Sequence, residues 1–312
     1  MSEMPALPIA IIGYGKIARD QHVPAIEADP RFQLVATVDP NATLPGLPGF
    51  HDHEALLAGD TGVEAVAICT PPAIRHTVAR AAIAAGLHVL LEKPPGLTVE
   101  AVAELEALAE AAGVTLFAAW HSREAAAVDS AREWLTDRPI DAVRVAWMED
   151  IRVWHPGQEW ILEPGGFGVF DPGINALSIL TEILPVMPVL RSARLEVPRG
   201  RAAPIVASLA LLSGDAPISV ELDFLHEGEQ RWDIEVDTPD GMLRLTRGGA
   251  ALSIAGVPVA AAENREYPRL YTRFADLVAA GESDVDVSPL TLAADALAIG
   301  EQVDAEPFAF AR

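Results

Sequence analysis

Cysteine is nearly absent. Cys69 is the only one in 312 residues, which excludes an internal disulfide and suits a reducing compartment. Cations are also few: 22 Lys and Arg stand against 45 Asp and Glu, for a formal net charge of −23. Such a chain repels phosphate backbones and anionic lipid, so nucleic acid and membrane surfaces are poor partners. The acidity reads instead as a solubility property. No apolar run is long enough to span a bilayer, and the opening stretch MSEMPALPIAIIGYG has no basic segment of the kind that starts an export signal. A soluble, cytoplasmic protein is expected. Internal repeats and low-complexity linkers are missing, as is any Ser-His-Asp or Cys-His arrangement for nucleophilic catalysis. The cluster His51-Asp52-His53-Glu54 has no further ligands at a known metal spacing, so no metal is expected.

Apolar residues, by contrast, make up half the chain, ample for a large core, and the length exceeds one typical domain. Residues 1–122 alternate short apolar runs (7–12, 32–38, 63–69, 87–92, 114–120) with Ala-rich helical segments. One of these helices is closed by Gly86; another is opened by Thr98 and closed by Gly113. Strands that are apolar throughout and separated by helices predict a doubly wound parallel sheet, an α/β fold covered on both faces. Residues 123–312 read differently. A helix around 123–137 is followed by a strand at 141–149, a Gly/Trp-rich loop and a helix from about 171. Alternating strands with short connections come next, predicting an α+β domain with a large open, mostly antiparallel sheet. In the stretch ISVELDFLHE the alternation predicts an apolar exposed face, which a second copy of the chain would cover. The segment 267–312 reads as helical around an acidic loop, and its last helix is free to pack back on the first domain.

Gly13-Tyr14-Gly15-Lys16-Ile17-Ala18 follows the first strand and opens the first helix. This is the dinucleotide fingerprint of a Rossmann fold: the first glycine makes the turn, the second admits the pyrophosphate, and alanine keeps helix and strand close. Asp39 ends the second strand 21 residues after Ala18. A carboxylate there accepts from the ribose hydroxyls and repels a 2′-phosphate, favouring NAD with NADP still open; Asp39-Pro40-Asn41 is equally ordinary turn chemistry. Thr70-Pro71-Pro72 and Glu92-Lys93-Pro94 lie at the carboxyl ends of two further strands, where such sheets bind ligands. Their bland readings are a loop of prolines and a surface lysine beside an acid.

The stretches GYGKIARDQHVPAI, VAICTPPAIRH and GLHVLLEKPPGLTVEA resemble the glucose–fructose oxidoreductase/inositol dehydrogenase family of NAD(P)-dependent oxidoreductases, along essentially the whole chain. Residues 120–126, 147–161 and 165–179 are most similar to its aldose 1-dehydrogenase branch, which acts on L-arabinose or D-galactose. The resemblance implies oxidation of the anomeric carbon to a lactone and a homodimer through the second sheet. It assigns Lys93 to the substrate hydroxyl beside the nicotinamide, and places Glu149, His155, Asp171 and Asn175 around the sugar. Asn175 stands where many members have histidine, so Asp171 is expected as general base, with Lys93 polarising or relaying the proton. Asp171-Pro172 is also a strong helix start, Asp at the cap and Pro at the first position.

Trp154 and His121 complete the expected sugar contacts, although tryptophans of this kind also serve as core, and Trp120-His121 as a packed corner. Gly165-Gly166 suits either a mobile loop or a tight turn. The expected cofactor residues are Gly13, Gly15, Lys16, Ile17, Asp39, Thr70, Pro71, His76 and Glu92. Two other classes of function stay open: oxidation of a ring hydroxyl on an inositol or keto-sugar, and nucleotide sensing without catalysis.

Overall fold

The computed structural model of the protein describes residues 5–263 and 265–310, which divide into two compact units. The first ends at His121 and takes in Tyr267–Val287 as well; the second comprises Ser122–Glu266 and the chain from Ser288. Among the described residues no helix is long and apolar enough to cross a membrane.

The first unit is built on six parallel strands: β1 (Leu7–Ile12), β2 (Phe32–Val38), β3 (Gly49–Phe50), β4 (Ala65–Ile68), β5 (His88–Glu92) and β6 (Leu116–Ala119). Their order is β3-β2-β1-β4-β5-β6, with a topological switch between β1 and β4 where such folds bind dinucleotides. The strands are apolar on both sides because both sides are covered. Ala10, Ile12, Val66 and Leu91 face α3 (Pro72–Ala84) and α4 (Val99–Ala112), whereas Ile9, Ile11, Ala67 and Leu90 face α1 (Val23–Ala28) and α8 (Glu266–Ala280). Helix α8 supplies Tyr267, Leu270, Tyr271 and Phe274, a stripe spaced three and four residues apart. The remaining helix of this unit, α2 (His53–Ala58), is capped by the Asp52 carboxylate. Thr98 caps α4 through the Ala101 N–H, and Gly86 and Gly113 adopt positive φ after α3 and α4, as the sequence predicts.

The second unit holds a nine-stranded sheet. Its members are β7 (Ala142–Met148), β8 (Val189–Pro198), β9 (Val206–Ser213), β10 (Ala216–Asp223), β11 (Arg231–Thr238), β12 (Gly241–Thr246), β13 (Ala251–Ile254), β14 (Val257–Ala261) and β15 (Glu301–Ala305). The order is β14-β13-β12-β11-β7-β10-β9-β8-β15, antiparallel except at β7/β10 and β8/β15. Helices α5 (Val128–Leu135), α6 (Ile151–Trp154), α7 (Phe170–Ile183) and α9 (Ser288–Ile299) complete it.

Four expectations need correction. The helix expected at 123–137 is a 3₁₀ turn (His121–Glu124) followed by the shorter α5. The Ala127 N–H is taken by the Gly249 carbonyl at 3.0 Å, which interrupts the ladder. The chain after Gly300 forms β15 rather than helix; a five-residue edge strand with one valine leaves too short an alternation to read. The alternating apolar residues of ISVELDFLHE that lie on β10 are not exposed: Ile218, Val220 and Leu222 are buried within the protomer, Ser219 and Glu221 face outward, and only Leu225, past the end of the strand, is exposed. Helix α7 begins at Phe170 with Val169 at its cap, so Asp171 is not the capping residue. The Asp171 N–H already bonds to the Gly168 carbonyl at 2.9 Å, and the helix starts two residues earlier than the Asp-Pro pair suggests.

Candidate active site

Each unit carries one set of polar side chains at the ends of its strands. In the first unit, Gly13 (φ 97°) makes the turn after β1 and bonds through its N–H to the Val38 carbonyl at 2.8 Å. A Cβ on Gly13 would lie 2.8 Å from the Thr70 nitrogen, whereas one on Gly15 would meet nothing within 4 Å. Gly15 therefore leaves open the space that a dinucleotide backbone fills. The Thr70 hydroxyl, at the end of β4, is buried without a hydrogen-bond partner. The Asp39 carboxylate accepts from the Tyr14 N–H of this turn at 3.1 Å and from the Asn41 N–H at 2.8 Å. Asp39 thus shapes its own turn and stands against the glycine-rich one. Ile17 is exposed, Lys16 pairs with Asp20 one turn on, and His76 lies 3.2 Å from Glu104 across α3 and α4. Pro71 precedes α3, with Pro72 as its first residue. These residues fit a bound dinucleotide.

Lys93 is one of only two lysines in the chain, the other being the exposed Lys16. It directly follows β5, is joined to Pro94 by a cis peptide, and is half-buried. The side chain before it points inward. Glu92, 3% exposed, accepts from Tyr267 Oη at 2.6 Å, from His22 Nε2 at 2.9 Å and from the Lys93 N–H at 2.9 Å. Burial opposes ionisation of Glu92, but the hydrogen bond and charge of His22, the charge of His121 and the Tyr267 hydroxyl outweigh it, holding the carboxyl well below the usual range. Burial likewise opposes protonation of His22, yet the Cys69 sulfur and the Glu92 carboxylate raise its pKa to about 10. Glu92, expected at the cofactor, has both oxygens engaged by the protein itself. His121, half-buried, stacks on Tyr267 at 5.3 Å. The buried Arg75, which the sequence reading passed over, donates to the Glu92 carbonyl at 2.6 Å and to the Pro94 and Thr70 carbonyls.

The second unit gathers Glu149, His155 and Asp171. Glu149 follows β7 and is almost wholly buried. One of its oxygens lies 3.0 Å from His155 Nε2; the other accepts from Trp232 Nε1 at 2.8 Å. The opposite ring nitrogen of His155, Nδ1, is 3.8 Å from Asp171 Oδ2. A histidine backed by a carboxylate has its ring orientation fixed, so this one presents Nδ1 toward Asp171. Asp171 is 6% exposed, and Asn175 lies one turn along α7 on the same face. Trp232 was not expected. It pairs with Trp147 across β11 and β7, stacks on it at 6.0 Å, and takes the edge of the half-exposed Trp154 at 4.8 Å. Gly165 and Gly166 form a packed turn: a Cβ on Gly166 would lie 2.2 Å from the Ile161 carbonyl, and the Gly168 N–H bonds to that same oxygen at 2.9 Å. Among the described residues no group of three His, Cys, Asp or Glu is placed to hold a metal ion.

Residues 7–120 match the model of an oxidoreductase family with an NAD-binding Rossmann fold. The galactose 1-dehydrogenase of Pseudomonas fluorescens is 43% identical, with 98% of this chain and 99% of that protein covered. The crystal structure of the D-galactose-1-dehydrogenase protein from Rhizobium etli superposes with a TM-score of 0.95 at 46% identity, covering 99% of this chain and 100% of that one. GenD2 from gentamicin A biosynthesis, solved in complex with NAD, shares the fold at a TM-score of 0.80 and 20% identity, over 96% of this chain and 94% of that one.

Proposed function

The chain belongs to the glucose–fructose oxidoreductase/inositol dehydrogenase family of NAD-binding oxidoreductases, and from that premise we propose that it oxidises the C1 hydroxyl of a cyclic aldose to the aldonolactone. Likeness over the full length to two galactose 1-dehydrogenases supports a galactose-type sugar. L-arabinose, which shares the arrangement of hydroxyls around most of the ring, is the other candidate. The observation that carries the reading is the state of Asp171. It is a carboxylate in the first turn of α7 that does not cap the helix, set beside a histidine whose other nitrogen is held by Glu149.

The roles follow from chemistry. Bound NAD supplies the hydride acceptor for the C1 hydrogen. Asp171 takes the proton of the C1 hydroxyl, so that the C1–O bond becomes the lactone carbonyl as two electrons leave with the hydride. Lys93, as an ammonium, polarises that hydroxyl and lowers the cost of its deprotonation. His155 shares the proton taken up by Asp171, while Glu149 acts through His155 because both of its oxygens are occupied. Asn175 and Trp154 orient the sugar, the indole offering a flat face to its C–H groups. Initial rates with D-galactose and L-arabinose, read as NADH formation with product identification, test the proposal. Lactone from either sugar supports it; a keto-sugar product moves the reaction to a ring hydroxyl and overturns it.

NAD is the preferred cofactor in this reading, because Asp39 stands where a 2′-phosphate would lie. Juxtaposed like charges cost several kcal/mol, so Asp39→Asn is expected to raise the NADP:NAD ratio of kcat/KM by about tenfold or more. An unchanged ratio contradicts that role. Self-association through the nine-stranded sheet rests on family resemblance alone, since the apolar residues of β10 are spent on the protomer's own core. Sedimentation at twice the 33.1 kDa chain mass is the expected result, and a monomer refutes it.

A further inference from the structure

Four buried polar side chains in the first unit take no part in the proton and hydride steps. His22 lies in the helical turn directly after the dinucleotide fingerprint, Glu92 ends β5, and Tyr267 and Tyr271 sit one turn apart on α8. All four are at most 3% exposed. Their bonds form one chain: Tyr271 Oη to His22 Nδ1 at 2.7 Å, His22 Nε2 to Glu92 Oε1 at 2.9 Å, and Tyr267 Oη to the same Glu92 oxygen at 2.6 Å. Apolar side chains of similar volume would fill such a core at no loss of stability. A charged group kept there, with every donor aimed at it, is explained by what it holds in place.

What it holds is Lys93. The free oxygen of the pair, Glu92 Oε2, accepts the backbone N–H of Lys93 at 2.9 Å. Arg75 donates independently to the Glu92 carbonyl of that same peptide group and to the Pro94 carbonyl beyond it. The backbone around the lysine is thus bonded to side chains at two peptide groups, the one before Lys93 and the one after Pro94. One of those side chains is itself anchored to the helix that begins at the glycine-rich turn and to α8, whose Tyr267 lies 175 residues further on.

We infer that His22 and Tyr267 are positioning residues for Lys93: they clamp the Glu92 carboxylate, which fixes the lysine backbone in register with the dinucleotide turn. This rests on the reading that Lys93 acts on the sugar hydroxyl. Displacements of about an ångström at a catalytic group cost up to about a hundredfold in rate, so small losses of this clamp register in kcat.

The test is a double-mutant cycle on the full-length protein with D-galactose and NAD. Tyr267→Phe is the informative variant, because it keeps the ring against His121 and His22 and deletes only the hydroxyl on Glu92. It is expected to lower kcat about tenfold with the Kd for NAD, measured by fluorescence titration, unchanged. In a Lys93→Met background the same substitution is expected to change the residual kcat less than about twofold, because the group it positions is gone. His22→Gln, where it folds, follows the same pattern with a larger loss. A lowered Tm with wild-type kcat in Tyr267→Phe, or an equal loss in both backgrounds, overturns the inference. If Lys93→Met itself retains wild-type kcat, the role of Lys93 fails and the inference falls with it. If Lys93→Met loses activity while Tyr267→Phe keeps wild-type kcat, only the positioning role fails.

Discussion

Asp171→Asn is expected to lower kcat by about a thousandfold, within the range that general acid–base catalysis contributes, while the Kd for NAD stays within about twofold of wild type. Asn is isosteric with Asp and able to hydrogen-bond the sugar, so the loss isolates proton acceptance from binding. Helix α7 starts at Phe170 without using the Asp171 side chain as its cap, and the variant is therefore expected to fold, as circular dichroism and Tm will report. The neighbouring His155, 3.8 Å from the carboxylate, sets the alternative. Were His155 the base and Asp171 only its orienter, kcat would fall far less than a thousandfold. Wild-type turnover in Asp171→Asn would exclude the assigned base altogether.

Lys93→Met is expected to reduce kcat/KM about a hundredfold or more, since it removes the positive charge that favours the alkoxide forming at C1. Of the two lysines in the chain only Lys93 lies at the carboxyl end of a strand of the parallel sheet, and arginine supplies the other permanent side-chain cations apart from the exposed Lys16. Lys93→Arg is not expected to restore activity, because a planar guanidinium presents its donors in a different geometry from a compact ammonium. Rates for both variants, measured over a pH series, check this. Activity near wild type in Lys93→Met would contradict the role proposed for Lys93.

The parts legible in the sequence are those written in local pattern. Strand, glycine turn and helix follow one another within residues 7–28, and the two-sided apolarity of β1, β4 and β5 declares the parallel sheet. The caps at Thr98 and Gly113 sit within four residues of the groups they serve. What stayed hidden depends on partners far apart in the chain. His22 meets Glu92 and Tyr271 across separations of 70 and 249 residues, and nothing in its own neighbourhood marks it as charged and buried. Trp232 lies in an alternating strand whose pattern gives its face but not its pairing with Trp147 or its bond to Glu149. The apolar face of β10 was read correctly as a face and wrongly as exposed, because α7 and the rest of the protomer core that cover it arise elsewhere in the sequence. Asp171 was drawn to the cap position by the Asp-Pro pair. The turn that begins the helix earlier depends on Gly168 and on the Val169 N–H reaching the Pro204 carbonyl at 2.7 Å.

The site of oxidation is tested most directly by D-galactose carrying deuterium at C1, mixed with NAD in a single turnover. Transfer of the label to the reduced cofactor, with a primary isotope effect and an unlabelled lactone, is the predicted result. Unlabelled NADH with deuterium kept in a keto-sugar would place the chemistry on another carbon and contradict the account.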